Sequence, residues 1–452
     1  MELRTKRVLV VGLGKSGLAA ALFLRDRGAR VTVSDTRSAA ALGDQIPALL
    51  EAGIMVEAGG HGLLTFRRQD LIVVSPGVPL DTPEVKQAAQ FGLPVIGELE
   101  LASRFLRGDV VAITGSNGKT TTTTLIGEIF KDAGLTTQVG GNIGLPVIEL
   151  IAGSAAETWN VLEVSSFQLE TTVEFKPKIA LVLNITPDHL DRHKTFEAYR
   201  AAKAKITANQ GPEDFLVLNA EDVASQGVAA KTRAKIYWFS GARRIKQGAF
   251  VHGESVFFVG EEGGTPEPVL PVAEIPLKGE HNVENVLAAV CAARLAGIAS
   301  EAIRRTVAAF HAVEHRLELV RTVRGVEYYN DSKATNVDAT RKAVASFPGG
   351  IHLILGGKDK DSDYTELAPL LRERVKAVYT IGSAAEKIER ELAGVVKIVA
   401  AGTLDAAVAG AAGAAVSGDV VLLAPACSSF DQFENYEHRG RAFREAVLGL
   451  EG

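Results

Sequence analysis

The run Ile113-Thr114-Gly115-Ser116-Asn117-Gly118-Lys119-Thr120-Thr121 constrains this chain more than any other stretch. It follows the apolar segment Val110 to Ile113, which reads as a short buried strand, and it opens into Leu125-Ile126-Gly127-Glu128-Ile129-Phe130, whose apolar spacing is helical. Strand, glycine turn and helix in that order make an anion cradle. The glycines let backbone N–H groups point inward, the helix N-terminus adds its positive end, and a lysine completes the charge balance. Gly115, Ser116, Asn117, Gly118, Lys119, Thr120 and Thr121 are therefore the candidate triphosphate contacts, with Thr120 placed to offer a hydroxyl to Mg²⁺. The spacing Gly-x-x-Gly-Lys-Thr is tighter than the common phosphate-loop pattern. An ordinary glycine turn with a solvated lysine is the competing reading, and the flanking strand and helix weigh against it.

A length of 452 residues suggests about three domains. Hydrophobic residues at 46% and charged residues at 23% describe a globular protein with ample core, not a disordered chain. The formal charge of −5, from 49 basic and 54 acidic residues, makes no electrostatic case for nucleic acid or a membrane surface. Cys291 and Cys427 are the two cysteines, which excludes a disulfide framework and suits a reducing compartment. The N-terminal residues lack the apolar core of a secretory signal. The most lipid-like segment, Ala406 to Cys427, is broken by glycines and Asp419, and reads as an Ala-rich helix followed by the strand Val420 to Leu423. The expectation is a cytoplasmic protein with no membrane insertion.

Three units follow from the pattern of strands and turns. In residues 1–98, Val8 to Val11 runs into Gly12-Leu13-Gly14-Lys15-Ser16-Gly17, then a helix, then a strand ending at Asp35. That is a dinucleotide-type turn in a β-α-β context, so a nicotinamide-dependent oxidoreductase is a live alternative on these residues. A second strand, Leu71 to Val74, ends in Ser75-Pro76-Gly77. A second nucleotide site in the next unit fits a transferase or ligase better than a hydride donor. In residues 99–312, Glu163 sits in what reads as the middle of an apolar strand from Trp159 to Leu169, where an ionised group is costly unless a cation meets it. Glu163 is thus a metal-ligand candidate, with a solvent-facing carboxylate as the alternative. The strand Ile179 to Asn184 ends in Thr186-Pro187-Asp188-His189, which sets His189 to bind a cation or handle a proton. Tyr199 to Ile206 is helical and reads as an exposed basic face. Asn282 and Asn285 share a helix face, and propensity favours capping for them. In residues 313–452, polar runs follow strands at Asn330 to Asn336, Gly356 to Asp361 and Ala424 to Phe433. All three units read as α/β with mainly parallel sheets and flanking helices.

Taken together, these motifs resemble the Mur ligases. The likeness runs through Gly12 to Gly17, Ser75 to Gly77, Thr114 to Thr121, Gly140 to Gly144, Glu163 to Glu170, Asp188-His189, Tyr199 to Lys203, His281 to Asn285, His315-Arg316, Asn330 to Asn336, Gly356 to Lys360 and Ser428 to Gly440. It implies a Rossmann-like N-terminal domain, a central phosphate-loop ATPase domain and a Rossmann-like C-terminal domain. It implies an ATP-dependent amide-forming ligase that adds D-glutamate to UDP-N-acetylmuramoyl-L-alanine through an acyl phosphate, in the synthesis of peptidoglycan precursors, and that works as a monomer. No Asp-Asn-Pro-Arg stretch of the diaminopimelate- or lysine-adding relatives is present.

By the same resemblance, Lys15, Ser16, Thr36 and Arg37 would hold the uridine diphosphate moiety. Gly77, Asn142 and His189 would meet the rest of that substrate. Lys15 stands where the family carries an apolar residue. Lys119, Glu163, His189 and Lys203 would form the catalytic group, with Thr120, Glu163, His189 and Lys203 organising two Mg²⁺ ions and Lys203 carrying a carbamate. Asn282, Asn285, His315, Arg316 and Asp331 would contact ATP. Thr335, Lys360, Ser429, Phe430 and Tyr436 would hold D-glutamate, although Phe430 and Tyr436 depart from the family's residue types. A related ligase with another amino-acid acceptor and a non-catalytic nucleotide-binding module compete with this reading.

Overall fold

The computed structural model describes residues 1–43, 45–230, 232–311 and 314–451. The expected boundary between 312 and 313 lies outside the described residues. Three sheets organise the chain. The first holds β1 (Arg7–Val11), β2 (Arg30–Asp35), β3 (Met55–Ala58), β4 (Leu71–Val74) and β5 (Val95–Gly97), all parallel, in the order β3-β2-β1-β4-β5. β1 and β4 are buried apolar runs, as strands covered on both faces must be. Strand order reverses between β1 and β4, which opens a crevice beyond their carboxyl ends. The Gly12–Gly17 turn leaves β1 and the Ser75–Gly77 turn leaves β4, so the two turns face each other across it. Gly17 is required by packing: a Cβ there would lie 1.9 Å from the Gly12 carbonyl oxygen.

The second sheet has nine strands: β6 (Asp109–Thr114), β7 (Thr137–Gly141), β8 (Trp159–Glu163), β9 (Ile179–Val182), β10 (Phe215–Asn219), β11 (Lys235–Ser240), β12 (Gly248–His252), β13 (Ser255–Val259) and β14 (Glu267–Pro271). Their order is β14-β13-β12-β11-β10-β9-β6-β8-β7. β6 lies between β9 and β8, all parallel, so the loops after these three strands converge. β12, β13 and β14 form an antiparallel extension at the far edge. The third sheet comprises β15 (Glu318–Val323), β16 (Val326–Asn330), β17 (Ile351–Gly356), β18 (Val375–Ile381), β19 (Ile398–Gly402) and β20 (Val420–Leu423), ordered β15-β16-β20-β17-β18-β19. Only the hairpin β15–β16 is antiparallel. The mainly parallel α/β architecture expected from the sequence is therefore present, and among the described residues no helix is long and apolar enough to cross a membrane.

Three local expectations need correction. Glu163 closes β8 and does not lie mid-strand, because Ser165 and Gln168 form a reciprocal capping box that starts a helix at Ser166. The helix Phe196–Ala204 does not present an exposed basic face throughout, since Lys203 is 1% exposed. Asn282 and Asn285 lie inside the helix Glu280–Leu295, whose N-cap is Gly279, so neither caps it.

Candidate active site

The phosphate loop joins β6 to the helix Lys119–Asp132. Gly118 is left-handed at φ +84°, and a Cβ there would meet Asn285 Oδ1 at 2.2 Å, so glycine is demanded twice over. Lys119 curls back, its Nζ donating to the carbonyls of Gly115 and Ser116 at 2.9 Å each. Burial lowers its pKa, against the opposing pull of Glu163 and Asp188.

Glu163 is the negative centre of this cluster. It accepts from Thr120 Oγ1 at 2.8 Å and from Asn142 Nδ2 at 2.8 Å. Burial would raise its pKa, but Lys333 and Lys119 outweigh that and keep the carboxylate ionised below its ordinary value. Lys333 donates to Thr120 Oγ1 at 2.5 Å, which brings the third sheet's β16 loop onto the phosphate loop. Lys203 is wholly buried and donates to the Gly115 carbonyl at 2.8 Å. Burial first, and then Lys119, push its pKa far below the ordinary lysine value.

Three cavities are lined by residues next to this cluster, among them Asn142, Gly118 and Asp188. The first, about 480 Å³, lies over the β1–β4 crevice and is lined by Lys15, Ser16, Thr36, Gly77 and Asn142, with His61 and Ser75. Gly14 has open space where a Cβ would stand. Lys15 Nζ reaches across to donate to the Gly144 carbonyl at 2.6 Å, bridging the first two sheets. Arg37 turns away and pairs with Asp35 at 2.9 Å. Burial would raise the Asp35 pKa, but Arg37 and the Leu13 amide hold it at about 2. With its oxygens so engaged, Asp35 is not free to receive a ribose hydroxyl in the manner of a nicotinamide-binding fold.

The second cavity is narrow, about 40 Å³, and lies between the second and third sheets. Asn117, Gly118 and Thr121 form one wall with Asn282 and Asn285, while Arg316, Asp331 and Lys342 form the other. Burial raises Asp331 to about 6 despite Arg316. Burial likewise lowers His281, on the same lining, to about 4. His315 directs its ring elsewhere: Nδ1 lies 2.9 Å from Asn330 Nδ2, and the ring packs on Gly440.

The third cavity, about 430 Å³, opens between the β9 loop and the third sheet, with Asp188, His189, Asp338, Arg341 and Lys360 in its lining. Burial brings His189 down to about 4 although Asp188 opposes it. Asp188 itself stays near 2, because Lys360 and His189 outweigh its burial. Ser429 is buried, Phe430 is 67% exposed, and Thr335 is half-buried, all apart from that lining. Tyr436 turns its ring toward Lys333, whose Nζ is 4.9 Å from the ring centre.

The guanidinium of Arg439, 1% exposed, ties the two loops that carry these residues. It donates to Ser332 Oγ and O and to the carbonyls of Cys427 and Ser428. Sequence reasoning gives no role to Lys333, Asp338, Lys342, His281 or Arg439. The signal for Lys333 is the density of polar residues from Asn330 to Asn336 just after a strand; Asp338 and Arg439 acquire their meaning from partners far along the chain.

Known families match this arrangement along almost all of its length. The model described as Mur ligase MurD-like, N-terminal domain, matches residues 6–97. The Mur ligase middle domain matches 113–293, and the Mur ligase glutamate ligase domain matches 315–427. A UDP-N-acetylmuramoylalanine--D-glutamate ligase of Acidobacterium capsulatum is 68% identical over 452 residues, covering 100% of this chain and 98% of the relative. One from Koribacter versatilis is 59% identical over 447 residues, covering 99% and 98%. Among solved structures, a pseudomurein peptide ligase type C from Methanothermus fervidus superposes with a TM-score of 0.63 at 21% identity, covering 99% of this chain and 100% of its own, a likeness of fold. With three family models in sequence order and identity this high across the full length, the chain belongs to the Mur ligase family.

Proposed function

We propose that this protein joins D-glutamate to UDP-N-acetylmuramoyl-L-alanine in an ATP-driven reaction of the cytoplasm, as a step of peptidoglycan precursor synthesis. Units 1–98, 99–312 and 313–452 would carry the uridine nucleotide, ATP and amino-acid sites respectively. The observation that carries this reading is the buried Lys119–Thr120–Glu163 cluster, bonded to Asn142 of the first cavity and to Lys333 of the third sheet. The relatives named above share the activity in their names. Arg341 and Lys360 line the third cavity, each paired with a carboxylate there, Asp338 and Asp188, and would have to exchange those partners to meet the carboxylates of an acceptor.

A free carboxylate is a poor electrophile and needs activation. The alanyl carboxylate attacks the γ-phosphorus of ATP in line, releasing ADP and leaving an acyl phosphate. The amine of D-glutamate then adds to that carbonyl, and the tetrahedral intermediate expels inorganic phosphate as the amide forms. Lys119, held at the loop carbonyls, swings onto the transferring phosphoryl group and offsets the charge that gathers there. Lys333 is poised for the same oxygens. His189, neutral at pH 7, accepts a hydrogen bond from the incoming amine. Asn282, Asn285, Arg316 and Asp331 hold the nucleoside, while Ser16 and Thr36 seat the uridine diphosphate and Gly77 meets the rest of that substrate. Thr335, Ser429 and Tyr436 stand outside the lining of the third cavity, on the loops that Arg439 clamps.

The donor set fits magnesium. Thr120 and Glu163 offer hard oxygens, and among the described residues no cluster of three or more His, Cys, Asp or Glu side chains forms a cage. That suits an ion bound through one or two protein oxygens and completed by phosphate and water. When bound, it neutralises charge on the phosphates. Lys203, low in pKa and beside Lys119, is a nucleophile for carbon dioxide. Its amine forms an N–C bond and loses a proton, and the repelling ammonium becomes an anionic oxygen donor.

Phosphate release measured over a panel of D- and L-amino acids, with ATP, magnesium and the uridine substrate present, tests the function. Release dependent on D-glutamate is expected. Release with a different amino acid instead would reassign the acceptor, and none with any would remove the ligase reading.

A further inference from the structure

Asp338 lines the third cavity, and Ala339 and Lys342 on the same helix line the second. Asp338 belongs to the first turn of that helix, Val337–Ala345, on the third sheet's side. Its carboxylate accepts from Asn117 Nδ2 of the phosphate loop at 2.8 Å, and Thr186 Oγ1 lies 3.4 Å away at the end of the β9 loop. Two neighbours on the same helix hold it from behind, Arg341 at 2.6 Å and Lys342 at 3.0 Å. Those neighbours point to different places: Lys342 lines the narrow nucleotide cavity and Arg341 lines the acceptor cavity.

Asn117 gives this contact its weight. Its backbone N–H donates to Asn184 Oδ1 and its carbonyl accepts from Asn184 Nδ2, both within the second unit. Its side chain is satisfied from the third unit instead, by Asp338 and, at 3.4 Å, by Asn336. The phosphate loop thus takes part of its shape from a helix more than two hundred residues away in sequence. A charge-assisted hydrogen bond from amide to carboxylate, with 11% of the acid side chain exposed, is among the stronger contacts of its kind.

We infer that Asp338 is a positioning residue that couples seating of the third unit to the conformation of the phosphate loop, so that nucleotide and amino acid favour each other's binding. The inference rests on the reading of the two cavities as ATP and D-glutamate sites. Both ligands need the helix docked on Asn117, and each therefore gains affinity when the other has already selected that state. The uridine substrate lies over the first sheet and gains nothing. A merely structural alternative exists: an acid in the first turn of a helix also favours the helix through its dipole.

The test compares Asp338→Ala and Asp338→Asn in the full chain, by calorimetric titration with ADP·Mg²⁺ and with the uridine substrate, and by steady-state kinetics. Asp338→Ala should weaken ADP and raise the D-glutamate KM by about tenfold each, the ratio of a lost contact of about 1.4 kcal/mol, with the uridine affinity unchanged. Asp338→Asn keeps an acceptor for Asn117 while removing the charge, so it should recover most of both losses. A helix-dipole role would instead leave Asp338→Asn as impaired as Asp338→Ala, with thermal stability falling alongside, and would overturn the inference. So would equal loss of all three affinities, or none. The ADP titration does not depend on the acceptor, so wild-type protein that fails to turn over D-glutamate would sink the function while these titrations still decide the coupling.

Discussion

Lys203 is the residue whose surroundings are least compatible with its ordinary chemistry. A charged ammonium, wholly buried and close to Lys119, is opposed by both desolvation and repulsion, and one carbonyl, the Tyr199 ring at 4.5 Å and the pull of Asp188 and Glu163 do not make up for them. The carbamylation proposed above would resolve the conflict. Protein equilibrated with ¹³C-bicarbonate should therefore give one slowly exchanging carbamate carbon resonance in NMR, absent from Lys203→Met. A spectrum identical for the two proteins would leave Lys203 as an unmodified amine. Activity should also fall on prolonged removal of carbon dioxide and return when bicarbonate is restored.

At the scale of elements, the joint between the first two sheets carries its own titration. Glu98 begins the helix Glu98–Ser103 directly after β5, and its Oε1 accepts from the Ile148 amide at 2.7 Å, while Oε2 is buried without a partner. Burial chiefly, and then Glu149, raise its pKa from the ordinary 4.5 to about 7, against the pull of that amide. A carboxyl raised in this way stabilises the fold fully below its unfolded pKa, and that contribution disappears as pH climbs through the native value. Glu98→Gln should accordingly match wild type within about 1 kcal/mol near pH 5 and exceed it by up to about 3 kcal/mol near pH 8 in urea unfolding. A constant difference across that range would refute the assignment. Elements like these mark how much can be read in advance. Gly12 to Gly17 and Gly115 to Thr121 are legible because turn, strand and helix sit within one short segment. The burial of Lys203 is not, since a lysine in a helical run looks solvated until the phosphate loop meets it at the Gly115 carbonyl. The edge strands β12 to β14 escape a reading of motifs because an antiparallel meander leaves none. Asp338 looks like an ordinary acid in a first turn, and only Asn117 makes it otherwise.

For the whole molecule, what matters is that each of the three cavities of the candidate site draws its walls from two units. The first cavity, proposed for the uridine substrate, needs the first and second, as Lys15 and Gly144 show, and the other two need the second and third. Ligands should then report the arrangement through thermal unfolding. The uridine substrate should raise the melting temperature alone, whereas D-glutamate should do so appreciably only with ADP·Mg²⁺ present. Equal stabilisation by D-glutamate with and without nucleotide would show that the third unit is already seated. The bond between Asn117 and Asp338 has a practical consequence as well. A small flat compound able to slip between those two side chains would act as a wedge between the second and third units, leaving the catalytic side chains themselves untouched, and resistance would have to arise at a seam rather than in a pocket.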